Sequence, residues 1–410
     1  MSFFSGPVAR NTLGTAVIFG IRLLALAVQL LLVARLLGPA GFSHYVAAGG
    51  LAVVLGGLST FGVHLLVLKA AARGSPAPML AMALGTWRLL CLPFFLLYLV
   101  LCQLLGMLQS NLWLVVGLGL AEIFVQPLLQ LLAMLIQGRG EVAIAQCWLA
   151  APMVLRAILL LSLLLLGSDV DAGFVVGSVQ LVAVVVCTLA MYCWGNVSIS
   201  RWSEWRVLAR GLWGEAGSFA LLSITAGGQA ELDKLLSVRM LTAGPAGVYT
   251  AAARIAGAAI LPVVALLVSA LPRLFGHQRW DWKLLRLLSL SAVAYAVVGA
   301  VMLWFLSPWL ELAFGGAYQG LAGVLAILSL ALPAQALRLV VVNVLMAKGA
   351  ALWRGGIELG VMLVLLVSTF VIAVDGRAAS MAWAVVACEW IALCLLVVPV
   401  IIKTLREHSL

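Results

Sequence analysis

The chain has 410 residues, of which 65% are hydrophobic and only 9% charged. A soluble domain of that length could not cover itself with so little polarity, so the composition predicts a membrane protein with short loops and no extramembrane domain. The net charge of +10 then reads as loop charge facing an anionic leaflet, not as a nucleic-acid footprint.

A spanning helix needs about 20 mostly apolar residues. Twelve segments qualify, and the first, 12–36, is too long for a signal-peptide core and reads as a retained helix. It carries Arg22, roughly 15 Å beyond Asn11 at 1.5 Å per residue and hence near mid-bilayer. It runs through Arg35-Leu36-Leu37 into Gly38-Pro39-Ala40-Gly41, ahead of helix 2 (43–68) with Gly49-Gly50 and Gly56-Gly57. Helix 3 (80–106) carries Arg88 and Pro93, helix 4 (112–137) Glu122 and Pro127, helix 5 (142–166) Pro152 and Arg156; helix 6 covers 174–195. Residues 196–212 form a linker in which Arg201, Arg206 and Arg210 alternate with Trp202 and Trp205, a mix that predicts a short amphipathic interfacial helix.

Helix 7 (213–241) carries Glu231, Asp233 and Lys234, and helix 8 (247–272) carries Arg254. Lys234 lies ten residues before Gly244 and Arg254 ten after it, so these charges share a depth across one hairpin and predict an ion pair, with Asp233 opposite Arg254. Helices 9 (286–306), 10 (321–346), 11 (354–374) and 12 (378–402) follow, with Pro333 and Arg338 in the tenth and Glu389 in the last; Glu215 and Glu358 fall nearer the helix ends. A second basic-aromatic patch, Arg279-Trp280-Asp281-Trp282-Lys283, precedes helix 9. The seven cysteines all fall in apolar segments at no ligand spacing and read as small core residues.

Most of the 24 Lys and Arg residues fall in the tails and in every second loop, which predicts cytoplasmic termini. The phrase Gly-Pro-Ala-Gly recurs at Gly244-Pro245-Ala246-Gly247, 206 residues after its first copy, and Pro127 and Pro333 are also 206 apart. With six helices per half, the halves enter from one side. The expected fold is therefore an all-α polytopic membrane protein of about twelve transmembrane helices, in two parallel six-helix repeats around a central cavity. The predicted division is an N-lobe at 1–195, a cytoplasmic linker at 196–212 and a C-lobe at 213–410.

A charge at the bilayer centre costs at least about 2.5–3.5 kcal/mol, so the intramembrane charges should face protein or water. Arg22, Arg156 and Arg254 are candidates for substrate contact, with Arg88 and Arg338 beside them or snorkelling to the interface. Glu231, Asp233, Lys234, Glu122 and Glu389 are candidates for gating or ion coupling, or for structural pairing. The basic excess points to an anionic substrate, because guanidinium forks match phosphate oxygens.

These segments resemble the Wzx-like polysaccharide flippases of the MATE/lipid-flippase superfamily. The likeness is carried by Asn11, Ala34–Phe42 with Tyr45, Asp233-Lys234-Leu235-Leu236, Gly244–Tyr249 and Ala252-Ala253-Arg254. Two departures stand out: Phe42 is followed by Ser43-His44, and Thr242-Ala243 is inserted in the second copy. The resemblance implies movement of an undecaprenyl-pyrophosphate-linked oligosaccharide from the inner to the outer leaflet of a bacterial cytoplasmic membrane. Membrane lipids and polysaccharide polymerase machinery are the further partners expected. No cofactor or metal is expected; coupling to H+ or Na+ is open. The rivals are a MATE-like drug/cation antiporter, whose pocket should favour acids, and a membrane enzyme acting on lipid-linked sugars. The external loop at about 307–320 carries one acid, Glu311, and no nucleophile–base pair for that last role.

Overall fold

The computed structural model describes residues 7–166, 170–195, 201–267, 282–347 and 351–408. Asp169, Lys348 and the patch at 279–281 lie outside the described residues. Helices occupy each of the twelve predicted segments, and among the described residues there is no strand. Among the described residues nine helices are long and apolar enough to cross a membrane, or ten if a bent pair counts as one span, so this is a multi-pass membrane protein. The difference from twelve has two causes. The first two predicted helices meet at a kink at Gly38 (φ 65°, ψ 177°), a backbone shape that suits glycine, and are counted together as one span within α1 (Pro7–Ser59). The seventh, α9 (Trp213–Met240), is long enough but carries Glu215, Glu231, Asp233, Lys234 and Arg239.

The chain divides into two compact units. The first contains residues up to Leu37 and His44–Gly227. After α1 come α2 (Val63–Ala72), α3 (Pro76–Leu104), the single turn α4 (Met107–Ser110) and α5 (Leu112–Gly119). A π-helical turn, Leu120–Val125, joins α5 to α6 (Gln126–Gly138); α7 (Val142–Leu165) and α8 (Ala172–Trp194) complete the set. The π turn stands just before Pro127, which has no N–H to continue an α ladder. Outside the spans, Asp171 caps α8; the N–H of Phe174 and the side chain of Asn111 hold its carboxyl below the usual carboxylate range.

The linker is not a helix. It runs as two 3-10 turns, Trp202–Glu204 and Arg210–Leu212, joined by extended backbone. The reason lies in α3, where Gly85 opens a slot. A methyl group there would come within 2.7 Å of the Arg206 backbone nitrogen. The Leu208 N–H donates to Thr86 Oγ1 at 3.0 Å, the Trp213 indole donates to the Leu208 carbonyl, and Leu208 is buried among Leu80, Leu84 and Ala216. Extended backbone meets these partners where a helix would satisfy itself.

The second unit contains Gly38–Ser43 and Gly228–Leu410. The compact units divide within α9, at 227/228. After α9 come α10 (Ala243–Ala259), α11 (Trp282–Phe314), α12 (Leu321–Ser329), α13 (Leu332–Ala347), α14 (Ala351–Ile372) and α15 (Ala378–His408). Helices α12 and α13 form the bent pair, turning by 43° just before Pro333, and the Trp390 indole donates to the Leu330 carbonyl at the bend. Gly38–Ser43 packs here: Phe42 is fully buried, edge-on to Tyr318 with ring centroids 6.3 Å apart.

Two features recur in both units. Each departs from regular α-helix immediately before its matched proline, through a π turn in the first unit and a 43° bend in the second. Each also joins a tyrosine to a polar side chain 16 residues earlier: Gln29 Nε2 donates to Tyr45 Oη at 2.8 Å, and Tyr249 Oη donates to Asp233 Oδ2 at 2.7 Å. Both members of the second bond stand 204 residues after those of the first. The chemistry differs, because the second acceptor is a carboxylate. Tyr249→Phe should therefore cost about 1.5–3 kcal/mol and Tyr45→Phe only about 1 kcal/mol. Parallel thermal unfolding in detergent measures the difference; equal losses would show that the carboxylate adds nothing.

Candidate functional site: buried ion clusters

Among the described residues the first unit holds one cluster. Glu122 sits on the π turn, Arg156 on α7 and Gln180 on α8, all buried. Gln180 Nε2 donates to Glu122 Oε1 at 2.7 Å and Arg156 Nη2 donates to the same oxygen at 3.3 Å. Arg156 Nε is buried without an acceptor. The sequence places Arg156 as a substrate contact; here its guanidinium is turned onto Glu122.

Among the described residues the second unit holds two. On α9 and α10, Arg254 makes a fork with Glu231, Nη1 to Oε1 and Nη2 to Oε2, both at 2.8 Å. Asp233 Oδ1 accepts from Lys234 Nζ at 2.8 Å, and its other oxygen takes the Tyr249 hydroxyl. The expected Asp233–Arg254 pair is therefore replaced by Glu231–Arg254. Residue counting gave the depth but not the direction. With 3.6 residues per turn, Glu231 and Asp233 point about 200° apart, so one carboxylate faces Arg254 and the other faces Tyr249.

The deepest cluster centres on Arg338 of α13, 2% exposed. Its Nε and Nη2 donate to Glu389 of α15 at 2.8 and 3.2 Å, and its Nη1 donates to Glu358 of α14 at 3.2 Å and to Gln229 of α9 at 3.0 Å. This overturns the snorkelling alternative for Arg338. Two carboxylates on neighbouring helices supply its counter-charge, so the head has no need of the interface. Glu358, Gln229, Gln180 and Tyr249 are the partners that the sequence reading left out of the site. Polar residues inside apolar runs were the available signal.

Two arginines remain. Arg88 is exposed, its Cζ 5.0 Å from the centre of the Trp202 ring. Arg22 is half-buried, and among the described residues it has no carboxylate or aromatic partner. Of the cysteines, 91, 102, 187 and 388 are buried as expected, whereas Cys147, Cys193 and Cys394 lie on exposed helix faces.

No protein-family model and no curated protein matches this chain. Solved structures do. An inward-facing multidrug resistance MATE family transporter of the MOP superfamily is 13% identical and superposes with a TM-score of 0.71 over 97% of this chain and 100% of its own. The lipid II flippase MurJ, in an inward closed conformation, is 12% identical with a TM-score of 0.69 over 95% and 87%. The MATE multidrug transporter DinF-BH, in complex with R6G, is 15% identical with a TM-score of 0.66 over 97% and 96%. At these identities the likeness concerns architecture: the chain has the fold shared by MATE transporters and MurJ.

Proposed function

We propose that this protein is a flippase that moves an anionic, undecaprenyl-pyrophosphate-linked oligosaccharide from the inner to the outer leaflet of a bacterial cytoplasmic membrane. The observation that carries the reading is Arg22. A guanidinium placed within a span is expensive unless an anion meets it. The other deep arginines, 156, 254 and 338, each have a carboxylate; Arg22 has none among the described residues. A pyrophosphate would supply the missing charge, and its oxygens suit a guanidinium fork. Arg254, whose side chain is 28% exposed, is the second substrate contact in this reading. The remaining clusters hold helices together, and Glu231 is the acid best placed to couple an ion, since it shares that partly open site.

Transport proceeds by alternating access of two pseudo-repeated lobes, with both termini cytoplasmic and polymerase machinery receiving the product. The fold shared with MurJ supports a lipid-borne substrate; the fold shared with MATE transporters supports the rival drug/cation antiporter. The rival calls for an acid free to meet a cation, yet Glu122, Glu231, Asp233 and Glu389 all accept from basic side chains.

The test is flipping of a fluorescent polyprenyl-pyrophosphate oligosaccharide in proteoliposomes. Arg22→Ala should slow it about ten- to hundred-fold, the range of one charge-assisted bond, and Arg22→Lys should recover part of the rate. Unchanged flipping by the alanine variant, or transport of a cationic dye with no flipping, overturns the proposal.

A further inference from the structure

The strap at 201–212 carries groups that none of the ion clusters uses. Arg201, Arg206 and Arg210 are exposed, and Arg88 lies over Trp202, itself 61% exposed. None of these four arginines has a carboxylate partner among the described residues. The nearby acids do not balance them: Glu204 is the strap's only one, and Glu215 is taken by Lys69. The strap is also rigidly seated. Trp202 stacks on Trp205 at 4.5 Å, Trp205 meets Trp87 edge-on at 6.4 Å, and the backbone is locked into the slot at Gly85 and Thr86.

Its level follows from α3. Leu89, Leu92, Leu96, Val100 and Leu104 form an exposed apolar stripe. That stripe covers about 22 Å at 1.5 Å per residue, most of a hydrocarbon layer of about 30 Å. Arg88 is the residue immediately before it. The four guanidinium groups and the exposed indole therefore stand where acyl chains give way to phosphates.

We propose that the strap is a binding site for anionic phospholipid headgroups, of the phosphatidylglycerol class, on its side of the bilayer. The arginines hold the phosphodiester by charge-assisted bonds, and Trp202 covers the glycerol end of the acyl chains. Because the strap is pinned by its backbone, binding orders little that is not already ordered. The site requires only that these helices cross a bilayer; it does not depend on the substrate proposed above.

Native mass spectrometry of the protein released from mixed phosphatidylglycerol/phosphatidylethanolamine nanodiscs tests it. Wild type should retain phosphatidylglycerol preferentially. Arg201→Gln, Arg206→Gln and Arg210→Gln should each lower that retention about five-fold, the effect of one basic residue at an anionic surface. Trp202→Ala should weaken it in the same direction, and Arg377→Gln, outside the strap, should leave it unchanged. Melting curves in neutral detergent confirm that the glutamine variants are folded. Equal retention of the two lipids by wild type overturns the site, as does undiminished retention by folded triple-glutamine protein. Retention of added polyprenyl pyrophosphate in place of phosphatidylglycerol overturns it too, by assigning the strap to another ligand.

Discussion

Replacing Arg338 with methionine should cost about 3–5 kcal/mol, the loss expected when one partner of a buried ion cluster is removed. The change deletes all four bonds of the guanidinium and leaves Glu358 and Glu389 facing each other's helices without it. Methionine fills most of the volume, so the loss reports charge and not a cavity. Arg338→Lys should fall between, because an ammonium keeps the charge but cannot fork to two helices at once. The triple variant Arg338→Met, Glu358→Gln, Glu389→Gln should recover much of the loss, since no ion is then stranded. Thermal unfolding in detergent ranks the four proteins. A methionine variant that melts with the wild type would mean that the cluster does not hold α13, α14 and α15 together.

Gly247→Ala should cost about 1–3 kcal/mol, the range for an extra methyl forced into a packed interior. The added Cβ would stand 2.5 Å from the Pro39 Cα, and the neighbour is backbone, so no side chain can swing aside. Gly244, three residues earlier in the same phrase, has nothing within 4 Å of its Cβ position. It lies in α10, where alanine is the better helix former, so Gly244→Ala should be neutral or stabilising by up to about 1 kcal/mol. The same comparison of melting temperatures decides. Equal effects at the two glycines would show that contact with Pro39 is not what fixes Gly247.

Much of this architecture was legible because a bilayer simplifies the physics. Apolar runs must be helices of about 20 residues, so the twelve segments could be read from hydropathy alone. Pro127 and Pro333 marked where two spans depart from regular α-helix, by a π turn and by a bend, since a missing N–H acts locally. Charges were legible by depth but not by azimuth. Counting put Glu231, Asp233 and Arg254 level, and only the turn of the helix decided which carboxylate met the arginine. The partners of Arg338 were not legible for a related reason: they lie 20 and 51 residues away on two other helices, a distance that no local pattern encodes. The linker's composition suggested an amphipathic helix, but a slot in α3 outweighed that local preference. Gly38-Pro39 was legible as the point where the first two helices part, because glycine takes the kinked backbone and proline is tolerated at the first turn after it.

The seat of Gly38–Ser43 in the second unit has a consequence for how the protein is made. Phe42 leaves the ribosome 276 residues before its ring partner Tyr318. At 5–20 residues per second that is a wait of roughly 15–55 s. Throughout it, an apex whose phenylalanine ends fully buried has been synthesised without its neighbours. The insertion machinery, a chaperone or the surrounding lipid must shelter it. Premature termination anywhere before residue 318 would leave that apex permanently unpaired, a ready target for quality-control proteolysis.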